Sequence, residues 1–141
     1  MSGAITSTDF QEKATFGDAW IEEGTNLPNS RNYTSSAFDA GKVQSKLGIE
    51  VKANGAVAIA NTKTLKIELL HDSSESGSYS DSITLLDYTN SSGDTVTRAD
   101  GYVFVREVPS EEINRWCKLK ITTTSDLSSY SYNAKVYIIG G

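Results

Sequence analysis

The stretch best supplied with side chains for nucleophilic catalysis is His71-Asp72-Ser73-Ser74, where an imidazole, a carboxylate and hydroxyls stand in a row. Acyl transfer needs the imidazole to take a proton from the hydroxyl while the acid orients the ring, and working triads draw these groups from separate elements of a rigid scaffold. Here they are consecutive, on a Ser- and Gly-rich stretch with no nucleophile-elbow motif, so a solvated loop is expected. In the same stretch Asp72, Ser74, Ser76 and Gly77 occupy the first, third, fifth and sixth positions of an EF-hand-like spacing, but the twelfth position is Ile83. One carboxylate and two hydroxyls make a poor calcium shell. Glu107, Glu111 and Glu112 flank Val108-Pro109-Ser110. Facing acids of this kind hydrolyse glycosides, yet Ser110-Glu111-Glu112 after a proline reads better as the capped start of a short helical turn leading to Arg115-Trp116. Cys117 is the single cysteine, which excludes an internal disulfide and a cysteine-based zinc site and makes it a core residue by default. No catalytic residue, metal or cofactor is expected, and the chain is read as a non-enzyme.

Aromatic side chains are the other functional candidates, because sugars and protein partners both stack on such rings. Tyr130 and Tyr132 alternate in Ser129-Tyr130-Ser131-Tyr132-Asn133 and so share one face of a strand. A contact surface and the end of a sandwich core are equally good readings of that face.

The elements that position these residues are strands. Leu65, Ile67 and Leu69 alternate with Lys66 and Glu68, the period-two pattern of a strand with one wet and one buried face. Weaker segments of the same kind lie at 46–51 and 55–60, separated by the turn dipeptide Asn54-Gly55, and further ones at 83–88, 102–105, 117–122 and 134–139. Strands arriving at short intervals without a helical pattern to bridge them predict an all-β protein, an antiparallel β-sandwich or barrel. Residues 1–36 hold isolated aromatics among Gly, Asn, Ser and Thr. They read as an extended N-terminal arm with one helical turn near 9–13, followed by a sandwich domain over 37–141.

The 141 residues suit one domain, and the formal net charge of −5 disfavours nucleic acid as a partner, since a binder needs a basic face. No apolar run is long enough to cross a bilayer. The first residues, Met1-Ser2-Gly3-Ala4-Ile5-Thr6, lack a signal-peptide pattern, so cytoplasmic synthesis is expected. The triplets Asn32-Tyr33-Thr34 and Asn90-Ser91-Ser92 match the glycosylation sequon but carry no weight without a secretory route.

Several segments, taken in order, resemble the jelly-roll capsid cement, or decoration, proteins of tailed bacteriophages. They are Phe16-Gly17-Asp18-Ala19, Ser35-Ser36-Ala37-Phe38-Asp39-Ala40-Gly41, the strand from Leu65 to Ser73 with a loop closing on Tyr79-Ser80-Asp81, and Val108-Pro109 through Arg115-Trp116-Cys117-Lys118-Leu119-Lys120-Ile121. The polar insertions at 73–82 and 89–100 depart from that pattern. The resemblance implies a jelly roll, a structural role on the virion surface, the major capsid protein as partner and a homo-oligomer, dimer or trimer. It also implies a clamp role for the arm, with Phe10, Phe16 and Trp20 as aromatic anchors. A carbohydrate-binding sandwich module, its platform made of Tyr residues and Ser/Gly loops, is the competing expectation.

Overall fold

Where the alternation is cleanest, the chain forms its central strands. A computed structural model describes residues 18–40, 46–108 and 113–139, with backbone alone at 18–20, 46–47, 105–108 and 137–139. The strands are β1 (Asp18–Asn26), β2 (Asn32–Thr34), β3 (Phe38–Asp39), β4 (Lys46–Ala53), β5 (Val57–Ile59), β6 (Thr64–Asp72), β7 (Asp81–Thr89), β8 (Val96–Arg98), β9 (Val103–Val108), β10 (Trp116–Thr123) and β11 (Ser131–Ile139). No helix occurs among the described residues. The expected turns of helix at 9–13 and 110–112 lie outside them.

All pairings are antiparallel, and they form one sheet in the order β1-β11-β4-β9 and another in the order β2-β10-β6-β7, with β3 also on β10. A small ribbon, β5-β8, stands apart. Let β2 and β3 count as one interrupted strand and set the ribbon aside. First then pairs with last, second with next to last, third with sixth and fourth with fifth, which is the order of a long hairpin rolled into a jelly roll. The interruption has a visible cause: the register with β10 slips by one residue between Tyr33↔Ile121 and Phe38↔Cys117. At the slip Ser35 Oγ accepts the Leu119 N–H (2.9 Å), keeping a buried donor satisfied.

The core lies between the two sheets. Leu65, Ile67 and Leu69 from β6 and Cys117, Leu119 and Ile121 from β10 face Ile49 and Val51 from β4 and Tyr132, Ala134 and Val136 from β11, all buried. The outward residues Lys66 and Glu68 are half-buried on the wet face, as their alternation predicts.

The arm boundary requires correction. Residues 1–17 lie outside the described residues, but 18–36 belong to the sandwich: β1 pairs with β11 over its length, and Leu27, 2% exposed, is in the core. The sequence hides β1 because two register shifts, between Trp20 and Glu22 and between Glu22 and Thr25, break its period-two alternation. The segments either side of Asn54-Gly55 are strands, though not partners: β4 joins β11 and β9, whereas β5 joins β8.

Candidate functional site

Strand alternation takes the catalytic-looking stretch apart. His71 is 8% exposed and sits on the inward side opposite Cys117, while Asp72 opposes Trp116 on the outward side. Asp72 organises the loop that follows: Oδ1 accepts the Ser74 N–H at 2.9 Å and Oδ2 the Tyr79 N–H at 3.1 Å. Tyr79 is pinned by its hydroxyl on the Glu75 carbonyl (2.8 Å) and by Lys118 Nζ, 4.4 Å from the ring centre. The ring is only 6% exposed, so the insertion folds down on the outer sheet face. Both carboxylate oxygens are engaged with backbone, which explains the Asp72, Ser74, Ser76 spacing as loop architecture. Among the described residues no group of three or more acidic, His or Cys side chains is placed to hold a metal.

Two expected results arise here. The Ser74 and then the Tyr79 N–H hold the Asp72 carboxyl below the usual carboxylate range. A depressed folded-state pKa stabilises above the unfolded value, and that stabilisation is lost as pH falls through the folded one. The hydrogen-exchange protection factor of the Tyr79 amide, corrected for the intrinsic rate at each pH, will therefore fall below about pH 4 before those of the core amides of β6 do. Gly77 lies against the same carboxylate, where a Cβ would overlap Asp72 Cγ, Oδ1 and Oδ2. Gly77→Ala will cost about 1–3 kcal/mol by overpacking, read as a lower midpoint in denaturant, and will expose Tyr79.

The fold also assembles a cysteine, a histidine and an asparagine that sequence reasoning did not connect. His71 Nδ1 accepts the Asn114 N–H at 3.2 Å, and the Cys117 thiol lies 3.7 Å from the Asn114 carbonyl as donor. Burial pushes the Cys117 thiol up to about 12, so the thiolate that nucleophilic chemistry needs is suppressed. The trio ties the approach to β10 onto β6.

Of the aromatic anchors, Phe10 and Phe16 lie outside the described residues, and Trp20 is placed by its backbone in β1 opposite Lys135. Glu111 and Glu112 are likewise outside, and Glu107 is placed by its backbone in β9. Tyr132 is 0% exposed and Tyr130 half-buried against the core. Of the two readings, Tyr132 takes that of the sandwich core, since inward positions of β11 face the opposite sheet, while Tyr130, just before β11, keeps partial exposure. Tyr33 joins the sheets at an edge by donating to Glu22 Oε1 (2.9 Å), and Thr25 donates to Oε2 (2.8 Å). Burial, then the Glu22 hydrogen bond, raises the Tyr33 phenol, which keeps it a donor. Beside it opens a groove of about 460 Å³ lined by Gly24, Thr25, Asn26, Leu27, Pro28, Arg31, Tyr33 and Ser128.

A second aromatic cluster lies elsewhere, partly exposed, with Tyr88 and Phe104 resting against the core on their inner side. The Arg98 guanidinium carbon stands 4.8 Å from the Tyr88 ring centre and 5.0 Å from that of Tyr102, and Tyr102 meets Phe104 edge-on at 5.2 Å. All four side chains are half-exposed. They come from β7, β8, the turn at 99–102 and β9, so no local spacing announces them; the only clue is their residue type, since Tyr and Arg dominate contact surfaces.

Of the segments that carry the resemblance, those on β3, β6, β7 and β10 meet in one sheet, whereas Asp18 and Ala19 fall in β1 and Val108 in β9 of the other. Asp39, 1% exposed, receives a fork from Arg115, with Nε to Oδ1 at 3.0 Å and Nη2 to Oδ2 at 2.8 Å. The Ala40 N–H donates to the Arg115 carbonyl and the Ser35 N–H to that of Leu119, while Asp81 pairs with His71. Arg115→Ala will lower the melting temperature, and Arg115→Lys will restore only part of it, because a lysine supplies a point charge and no fork.

No family model and no characterised protein sequence matches this chain. A solved structure, described as that of infectious bursal disease virus Gx strain, is similar at TM-score 0.40 and 12% identity. The match covers 88% of this chain and 32% of that one, so the chain spans about a third of its length.

Proposed function

We propose that this protein is a non-enzymatic structural component of a virion, a capsid cement or decoration protein that binds the outside of a bacteriophage head and braces neighbouring major capsid protein subunits. One observation carries the reading. Segments around 35–40, 65–73, 79–81 and 115–121, which resemble the decoration proteins separately, lie on or beside β3, β6, β7 and β10 of one sheet and bond to one another there, while Asp18-Ala19 and Val108 fall in the other sheet. Four separate likenesses meeting in one sheet support the reading. A jelly roll also suits the task, since a rigid double sheet can lie across a subunit junction, and many copies on one shell gain effective affinity by multivalency. In this reading residues 1–17, with Phe10 and Phe16, form the clamp, and the protein acts as a dimer or trimer.

Co-sedimentation with phage heads stripped of decoration, with the solution mass from light scattering, tests the proposal. Saturable binding at a defined copy number is expected, and no binding to any related shell overturns it. A truncation testing the clamp must stop at residue 17, because Asp18 begins β1. The carbohydrate-binding reading rests on a different observation, the mixed polar and apolar groove beside Tyr33 and Arg31. Its test is a glycan array, where protection of those two residues by one saccharide is the supporting result.

A further inference from the structure

We infer that the Tyr88, Arg98, Tyr102 and Phe104 cluster is a docking surface for an acidic segment of a partner protein, with Arg98 receiving one of its carboxylates. Arg98 is held by its aromatic neighbours. Two tyrosine rings lie within 5.0 Å of its guanidinium carbon, so cation–π contacts occupy the flat group and restrict its movement. Its edge carries the N–H donors, and none of these has an acceptor or ion-pair partner among the described residues. A half-buried guanidinium in this state has shed part of its hydration and fixed its geometry while keeping its hydrogen-bonding capacity open. The group that satisfies such a fork best is a planar carboxylate, which accepts two parallel N–H bonds.

The surroundings point the same way. Lys52, exposed on β4, runs its stem beside Gly101, with Cε 3.3 Å from where a Cβ would stand. It too lacks an ion-pair partner among the described residues. Lys52 and Arg98, beside three aromatic rings, outnumber the exposed Asp100 of the same turn and leave a local positive excess on a chain of net charge −5. A polyanion such as nucleic acid would meet repulsion from the rest of the surface, whereas one or two carboxylates on a short peptide would not. The rings supply the apolar contact and water exclusion that make a charged hydrogen bond effective at an interface. This surface is assigned independently of whether the partner is a shell subunit.

The test is an NMR titration of the full-length ¹⁵N-labelled protein with an end-blocked Gly-Glu-Gly-Gly-Glu-Gly peptide, which carries two carboxylates. Arg31, exposed and also without an ion pair among the described residues, serves as the internal control. Saturable shifts of the Arg98 Nε–H and Tyr102 amide, without comparable change at Arg31, are expected. Affinity will fall roughly tenfold in Arg98→Lys, which keeps the charge but loses the fork, and in Tyr102→Leu, which frees the guanidinium. Each variant's spectrum reports whether it folds. Should either fail to fold, the wild-type contrast between Arg98 and Arg31 decides. Equal shifts at both arginines, no shift at Arg98, or tighter binding of a hexathymidylate at the same residues overturns the assignment.

Discussion

Asn90→Ala will destabilise the protein by about 2–4 kcal/mol, one of the largest losses expected from a polar residue in this chain. Asn90 is 1% exposed, and its side-chain amide is used completely. Nδ2 donates to the carbonyls of Ile59 (2.9 Å) and Asp94 (2.8 Å), and Oδ1 accepts from the Ser92 N–H (3.0 Å) and Ser92 Oγ (2.8 Å). Alanine removes all four at once and strands the Ile59 carbonyl inside the structure, where lost partners are costly. For a domain of this size the loss corresponds to a melting temperature lower by roughly 6–12 °C. Asn90→Asp will be at least as damaging, because a carboxylate would face those two carbonyls without a donor. The control is Asn32→Ala, at an exposed position of β2, expected to change stability by about 0.5 kcal/mol or less. The same bonding closes the Asn90 sequon to glycosylation in the folded chain, since both amide hydrogens are already committed.

Tyr132 separates packing from contact function. Its side chain is 0% exposed, and its hydroxyl has no hydrogen-bond partner among the described residues. Burial, with the Glu22 carboxylate second, drives that phenol far above its ordinary range. Tyr132→Ala will open a large cavity between the sheets and cost about 3–5 kcal/mol. Tyr132→Phe keeps the ring and removes an unsatisfied buried group, so it will be neutral or stabilising by about 1 kcal/mol. Chemical denaturation of both variants measures the split. A residue serving as an exposed contact ring would show the opposite pattern, with little change in stability for alanine and a loss confined to partner binding.

The polar insertions show why loops were the least legible part of the sequence. Segments 73–82 and 89–100 read as solvated and without assigned function, and their composition supports nothing more. The folded chain shows each built around one side chain, Asp72 and Asn90, whose bonds reach up to 31 residues away. The second segment even contains a strand, β8, which needs β5 as its partner. His71 and Asp72, neighbours in sequence, are separated by the strand itself, one facing inward and the other outward.

Residue type and alternation by themselves determined the all-β class, the antiparallel pairing and the core faces of β6 and β10. A period-two pattern of Leu, Ile and Lys has one stable placement, with one face buried and the other wet. They also determined that Cys117 is internal. Tertiary structure alone decided that β1 closes the first sheet, because its bulges erase the pattern. It decided that Tyr132 is core and Arg98 a clamped surface cation, because exposure depends on what the opposite sheet covers. It also decided that Asp39 meets Arg115 across 76 positions of the chain. Local preference acts over a few residues, whereas pairing across a jelly roll joins the first strand to the last, so the surfaces of this protein are fixed by contacts that neighbouring residues do not encode.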